Sequence, residues 1–178
     1  MEHFILVWNQ IMSLGVFFGI IVSCVLLFTL FVPEYFFAKQ IQLFVQKNIL
    51  ILGFFTSLVA LVSSLTYSNI IGFPPCLLCW YARIFFYPQV FLFGMAIWKK
   101  DFRIIDYTLV LTIAGTLVSL YHVISENIGY SAFSCEASGP SCLIKYVNEY
   151  GFITIPVMGL IGFTVLLFLL IVAKRGSK

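Results

Sequence analysis

Five long apolar runs, separated by short clusters of proline, glycine and charge, restrict what this chain can become more than any other feature. They cover residues 11–32, 49–71, 80–98, 104–124 and 151–173. At about 1.5 Å per helical residue, each reaches across a hydrocarbon layer of about 30 Å. Lipid offers no partner for backbone N–H and C=O groups, so each run must satisfy its own and be helical. A soluble core is excluded by composition. Of 178 residues 62% are hydrophobic and 10% charged, which is more apolar surface than a chain of this size can hide. The expectation is an all-α integral membrane protein, residues 1–178 forming a single membrane domain bathed in membrane lipid. No basic patch sits on a soluble face, so no nucleic-acid partner is expected.

The segments between the runs give an orientation. Glu2 and His3 stand where a cleavable leader would carry basic residues, and no small-x-small site follows. The first run is therefore expected to remain as a span. Pro33 and Glu34 close it, and residues 33–48 read as a connector with an interfacial helical turn around 36–44. Pro88, inside the third run, is expected to free a backbone carbonyl and kink that helix. With five spans the intervening segments alternate sides. One side collects Lys39, Lys47, Lys99, Lys100, Arg103, Lys174, Arg175 and Lys178, eight of the ten Lys and Arg residues. That side, with the C-terminus, is expected to be cytoplasmic. The outer loops, residues 72–79 and 125–150, then share the opposite compartment, and they hold four of the five cysteines.

The first of these loops carries the chemistry-bearing string Pro74-Pro75-Cys76-Leu77-Leu78-Cys79-Trp80-Tyr81-Ala82-Arg83. Proline is suited to a helix start because it lacks the N–H that would be unpaired there. If a helix begins near Cys76, then Cys76, Cys79 and Arg83 are spaced i, i+3 and i+7 and share a face. A thiol in that first turn meets unpaired backbone N–H groups and the positive end of the helix dipole, which favour the thiolate.

Cys135 and Cys142 lie in the second outer loop, with six residues and a Gly139-Pro140 turn between them. In an oxidising exterior, four cysteines read as two disulfides more readily than as zinc ligands, and no metal is expected. Two structural disulfides remain open as a reading. Against them, Cys-x-x-Cys closes so small a loop that it removes little unfolded-state entropy, so the geometry suits thiol exchange better than stapling. Cys24, in mid-span, reads as a packing residue.

This arrangement resembles the DsbB/BdbC family of bacterial disulfide bond formation proteins. The resemblance rests on Cys76-x-x-Cys79 at the head of a span, Arg83 four residues beyond, and a second pair, Cys135 and Cys142, in the next outer loop. It covers roughly residues 45–173, and the short second pair is closest to the BdbC pattern. Vitamin K epoxide reductase-like proteins are similar in helix number, but there the Cys-x-x-Cys follows the other pair. The resemblance implies a four-helix transmembrane bundle, with the first run as one extra N-terminal transmembrane helix. It also implies a multi-pass protein of the bacterial cytoplasmic (inner) membrane, its cysteine loops on the periplasmic or extracytoplasmic side.

The function so implied is that of a membrane thiol oxidase. Its partner would be a DsbA-like, thioredoxin-fold thiol oxidase, and its electron acceptor a quinone, ubiquinone or menaquinone. Cys135 and Cys142 would exchange with the partner, Cys135 forming the mixed disulfide. Cys76 and Cys79 would reoxidise that pair, and Cys79 would meet the quinone as a thiolate. Arg83 resembles a quinone-proximal arginine, and His122, near the outer end of the fourth run, resembles a histidine that hydrogen-bonds the quinone. Two other functions remain compatible with the residues alone: a non-enzymatic scaffold with two structural disulfides, and a thiol relay exporting reducing equivalents.

Overall fold

The computed structural model describes residues 2–131 and 141–176, and side chains as far as Arg175. Five helices carry the described chain: α1 (Glu2–Phe31), α2 (Phe36–Leu65), α3 (Leu77–Lys99), α4 (Ile104–Ile128) and α5 (Ile155–Gly176). A π-helical turn, Thr66–Ile70, prolongs α2. All five are long and apolar enough to cross a membrane. The helices α2, α3, α4 and α5 pack in a ring, each against the next and α5 back against α2. Outside the ring α1 lies along α5 and touches α2 more lightly. The protein is thus a four-helix transmembrane bundle with one added N-terminal helix.

Where helices begin and end differs from the apolar runs in ways that follow from local chemistry. The first helix starts at Glu2 rather than near residue 11. Nothing in the first ten residues breaks a helix, and the Glu2 carboxylate complements the dipole at its start. The expected connector at 33–48 is reduced to the four residues 32–35. Pro33 stops α1, but no further proline follows until Pro74, and the one intervening glycine before Gly72, Gly53, is packed against Phe93 within the helix. The α2 helix and its π turn therefore run 35 residues, about 52 Å, and project past the hydrocarbon with Lys39 and Lys47. At the far end of the chain α5 starts at Ile155, not 151. Tyr150 and Gly151 are both left-handed (φ 53° and 79°), and a bridge between Glu149 and Ile153 closes a tight turn ahead of it.

Pro88 does not interrupt α3, which is continuous from Leu77 to Lys99. Gln89, fully buried, donates its side-chain amide to the Phe85 carbonyl at 2.9 Å and accepts from Thr112 of α4 at 3.1 Å. The amide supplies hydrogen bonding at the proline turn and ties two helices together.

The middle of the bundle is packed by rings against glycines. Phe86 and Phe163 stack with centroids 3.7 Å apart. A β-carbon at Gly115 would fall inside the Phe163 ring, and one at Gly53 would lie 2.6 Å from Phe93. Lipid tails are as apolar as any side chain, so small residues that allow close approach hold such helices together. At one end, Arg175 donates to the Leu30 carbonyl at 2.8 Å and Lys174 pairs with Asp106 at 2.7 Å. The thiols occupy the other end.

Candidate functional site

The thiol site starts with a helix cap. Cys76 is the N-cap of α3, extended at φ −74° and ψ 171°, and its sulfur accepts the Cys79 backbone N–H at 3.4 Å. It performs the task that Ser or Asp performs at most helix starts. One turn on, Cys79 Sγ lies 2.8 Å from Cys76 Sγ. Both are free thiols. Cys76 is buried and Cys79 is partly open.

His122 reaches this pair from the last turns of α4. Its Nε2 lies 3.7 Å from Cys76 Sγ and 3.3 Å from the Cys142 carbonyl oxygen. A proton on Nε2 can be shared between the sulfur and the carbonyl, so one imidazole touches the approaches to both cysteine pairs. Cys142 is disulfide-bonded and buried, and packs in one cluster with Cys76 and Leu78, flanked by Leu77, Cys79 and Tyr121. Cys135 and the expected Gly139-Pro140 turn lie outside the described residues.

Cys76 sits ahead of the membrane-spanning helix, and its surroundings hold the thiol well below the ordinary thiol range. The hydrogen bond from the Cys79 thiol is the largest influence. Burial opposes it, while the His122 hydrogen bond and charge and the Cys79 amide add to the lowering. Within the pair, the Cys79 hydrogen bond thus favours the thiolate at Cys76.

Arg83 lies one turn beyond Cys79 on the same face. Its Nε donates to Ser64 Oγ at 2.9 Å and Nη2 to the Ser64 carbonyl at 3.2 Å, and the guanidinium lies 5.0 Å over the Trp80 ring. Ser64 is a partner that sequence gave no reason to single out. Trp80, Tyr81 and Ile84 are exposed around Cys79, so an apolar, lipid-facing surface borders the partly open sulfur. Glu126 is buried and accepts from Thr154 Oγ1 at 2.6 Å, pinning the segment before α5. Residues 143–150 are mostly irregular chain, with a bend at Tyr146 and a bridge residue at Glu149.

Cys76, Cys79 and His122 also offer ligand atoms within 4.8 Å of one another. Two thiolates on one tetrahedral ion, with Zn–S of about 2.3 Å, stand about 3.7 Å apart. The 2.8 Å between these sulfurs is closer than one such ion would hold them and suits a pair that interconverts between dithiol and disulfide. A groove of about 370 Å³ lined by Cys24, Val25, Phe28, Thr29, Phe37, Ala38 and Ile41 lies elsewhere, between α1 and α2 near the opposite end. It takes no part in the thiol site.

Comparison with known proteins agrees with this geometry. Residues 46–173 match the family described as "Disulfide bond formation protein DsbB". The chain is 41% identical over 119 residues to the "Probable disulfide formation protein C 1" of Bacillus anthracis, covering 66% of this chain and 86% of that one. It is 38% identical over 123 residues to the "Disulfide bond formation protein C" of Bacillus subtilis (68% and 88% covered), and 39% identical over 139 residues to the "Probable disulfide formation protein" of Oceanobacillus iheyensis (74% and 94% covered). No solved structure matches the chain. Two cysteine pairs, one histidine between them and a helical membrane bundle around them thus coincide with the family match, and the chain belongs to the DsbB family of disulfide bond formation proteins, membrane oxidoreductases of thiols and disulfides.

Proposed function

We propose that this protein takes two electrons from a DsbA-like, thioredoxin-fold dithiol and delivers them through Cys135/Cys142 and then Cys76/Cys79 to membrane quinone. The observation that carries this reading is the His122 bridge, with Nε2 3.7 Å from Cys76 Sγ and 3.3 Å from the Cys142 carbonyl. It draws Cys142 into one buried cluster beside Cys76 and Cys79. Disulfide transfer needs an attacking thiolate close to an accessible disulfide sulfur, and this cluster supplies that closeness.

The steps balance as exchanges. A partner thiolate attacks Cys135, forming a mixed disulfide and releasing Cys142 as thiolate. The partner's second thiolate attacks its own bridged sulfur, leaving as a disulfide and freeing Cys135. Cys142 then attacks Cys76 of an oxidised Cys76–Cys79 pair, and Cys79 leaves as thiolate. Cys135 attacks Cys142, restoring the outer disulfide and returning Cys76 as thiolate. The inner pair is now two electrons richer.

Quinone, ubiquinone or menaquinone, supplies a two-electron, two-proton sink for that pair. The residues fit it: Cys79 borders an apolar surface open to lipid, Arg83 offers a charged donor beside it, and His122 offers a protonatable nitrogen. Arg83, oriented by Ser64, stabilises negative charge developing on an acceptor oxygen. The basic ends at Lys39, Lys99 and Lys174 would face the cytoplasm and the thiols the exterior, as the cation bias requires. Trapping tests the order. A Cys142→Ala variant should accumulate a disulfide between Cys135 and an exported thioredoxin-fold protein. Adducts that instead require Cys76 would reverse the assignment.

A further inference from the structure

Helix α1 lies wholly outside the family match, which begins at residue 46. Its outer end nevertheless touches the approaches to both cysteine pairs. Asn9, only 7% exposed, accepts from the Tyr67 hydroxyl at 3.1 Å and donates to Glu149 Oε1 at 3.4 Å. Tyr67 stacks on Phe73 (centroids 6.2 Å, planes 11° apart), three residues before Cys76. Phe73 stacks in turn on Tyr146 (5.0 Å, 20°), four residues after Cys142. Lower on the same helix, Phe17 meets Tyr150 and Phe152 edge-on at 5.6 and 6.1 Å.

We propose that α1 is a built-in clamp on the thiol relay, and that Asn9 is a positioning residue holding the Cys142 segment in register with Cys76. The chemistry of the amide is what the position needs. One atom accepts and the other donates, so a single side chain joins a hydroxyl on the Cys76 approach to a carboxylate on the Cys142 approach. Leucine, of similar size, would leave Tyr67 and Glu149 without these bonds. Aspartate would keep the acceptor for Tyr67 but set a second carboxylate against Glu149. Phe17 adds ring contacts that hold the turn at Tyr150 from the side. Since the helices around Cys76 are fixed by the bundle, the segment 141–154 is the part that such a clamp positions.

This inference rests on the proposed relay, and its test isolates the step between the two couples. In a Cys135→Ala background Cys142 is a free thiol, able to attack the Cys76–Cys79 disulfide and form Cys76–Cys142 while Cys79 leaves as thiolate. The full-length protein in membranes, stripped of quinone and then quenched with an alkylating agent, gives the ratio of the two disulfides by peptide mass. With Asn9 intact the Cys76–Cys142 species should be readily detected. Asn9→Leu should lower its ratio about two- to tenfold, the range that one net hydrogen bond commands. The pair Asn9→Asp with Glu149→Gln, which restores the donor and acceptor with their positions exchanged, should recover most of it. An unchanged ratio in Asn9→Leu would overturn the clamp. If that variant fails to insert, Phe17→Leu provides the decision, because an unchanged ratio there overturns it equally. Absence of Cys76–Cys142 in the parent background would do so as well. Intact exchange without quinone reduction would strike only the proposed electron acceptor.

Discussion

The middle of the bundle and its thiol-bearing end are held together by different forces. In the middle, Phe86, Phe93 and Phe163 press against glycines on facing helices. At the thiol end, hydrogen bonds cross between elements: Asn9 to Tyr67 and Glu149, His122 to Cys76 and Cys142, Glu126 to Thr154. Shape fixes the first region and admits one arrangement. Polar pairing fixes the second, and polar pairs can be exchanged for others at modest net cost. A protein that must break and remake disulfides at one end of a rigid frame needs both kinds of region, with the boundary between them near the first turn of α3.

The largest separation of the two regions should come from Phe163→Ala. It removes a fully buried ring that fills the space beside Gly115 and stacks on Phe86. Ring deletions in packed cores cost about 3–5 kcal/mol. Here the lower end, about 3 kcal/mol, is expected, because a helix leaving the bundle moves into lipid rather than water. Reversible unfolding in mixed micelles would measure it. Cys76 reactivity in the surviving folded fraction should be unchanged; a change would mean that core and thiol end are not separable.

Next in size is His122→Ala, which leaves the core alone and removes the link between the couples. Cys76 owes part of its lowered pKa to this imidazole. In the reduced protein its alkylation rate should stay nearly flat as pH falls from 9 toward 7, where an ordinary thiol of pKa about 8.5 loses about 25-fold. In the variant the onset of the fall should move to higher pH, while the Cys79 hydrogen bond keeps it below that of an ordinary thiol. The sign carries over to stability. Because the folded pKa lies below the unfolded value of about 8.5, the thiolate stabilises the reduced protein fully above that value. The contribution is lost as pH falls through the folded pKa. A flat profile in the variant would show that the cap and the Cys79 thiol suffice without the imidazole.

Much of this division was legible in the sequence, and the rest was hidden for a physical reason. Five apolar runs announced five helices, and Cys76-x-x-Cys79 after two prolines announced a thiol at a helix start. Hydrophobicity could not say which face of a helix points inward, because lipid and core are equally apolar. The signal lay instead in small and polar residues. On α4, Thr108, Thr112, Gly115, Ser119, His122 and Glu126 alternate at steps of four and three and are all buried. On α1, Asn9, Ser13, Gly19 and Ser23 lie on one buried face with Val16 and Leu26, at steps of three or four. Read that way, Asn9 belongs to an inward stripe and His122 faces the bundle. Ser64 as the partner of Arg83 and the Tyr67–Phe73–Tyr146 stack had no such signature, since each depends on how separate segments meet.

The smallest effect is expected at the end remote from the thiols. Lys174 pairs with Asp106 at 2.7 Å, but the two side chains are 50% and 66% exposed. A pair so open to solvent gains little, because water and salt screen it and two long side chains lose freedom in forming it. Lys174→Ala should therefore change stability by no more than about 1 kcal/mol, and raising the salt concentration should narrow even that difference. Thiol exchange, measured as the ratio of Cys76–Cys79 to Cys76–Cys142, should not move at all. The same single charge should matter more to topology than to energy, since it contributes to the basic end that the proposed orientation assigns to the cytoplasm. If Lys174→Ala slowed thiol exchange while insertion stayed correct, the two ends of the bundle would be mechanically coupled. The separation between a rigid middle and an adaptable outer end would then fail.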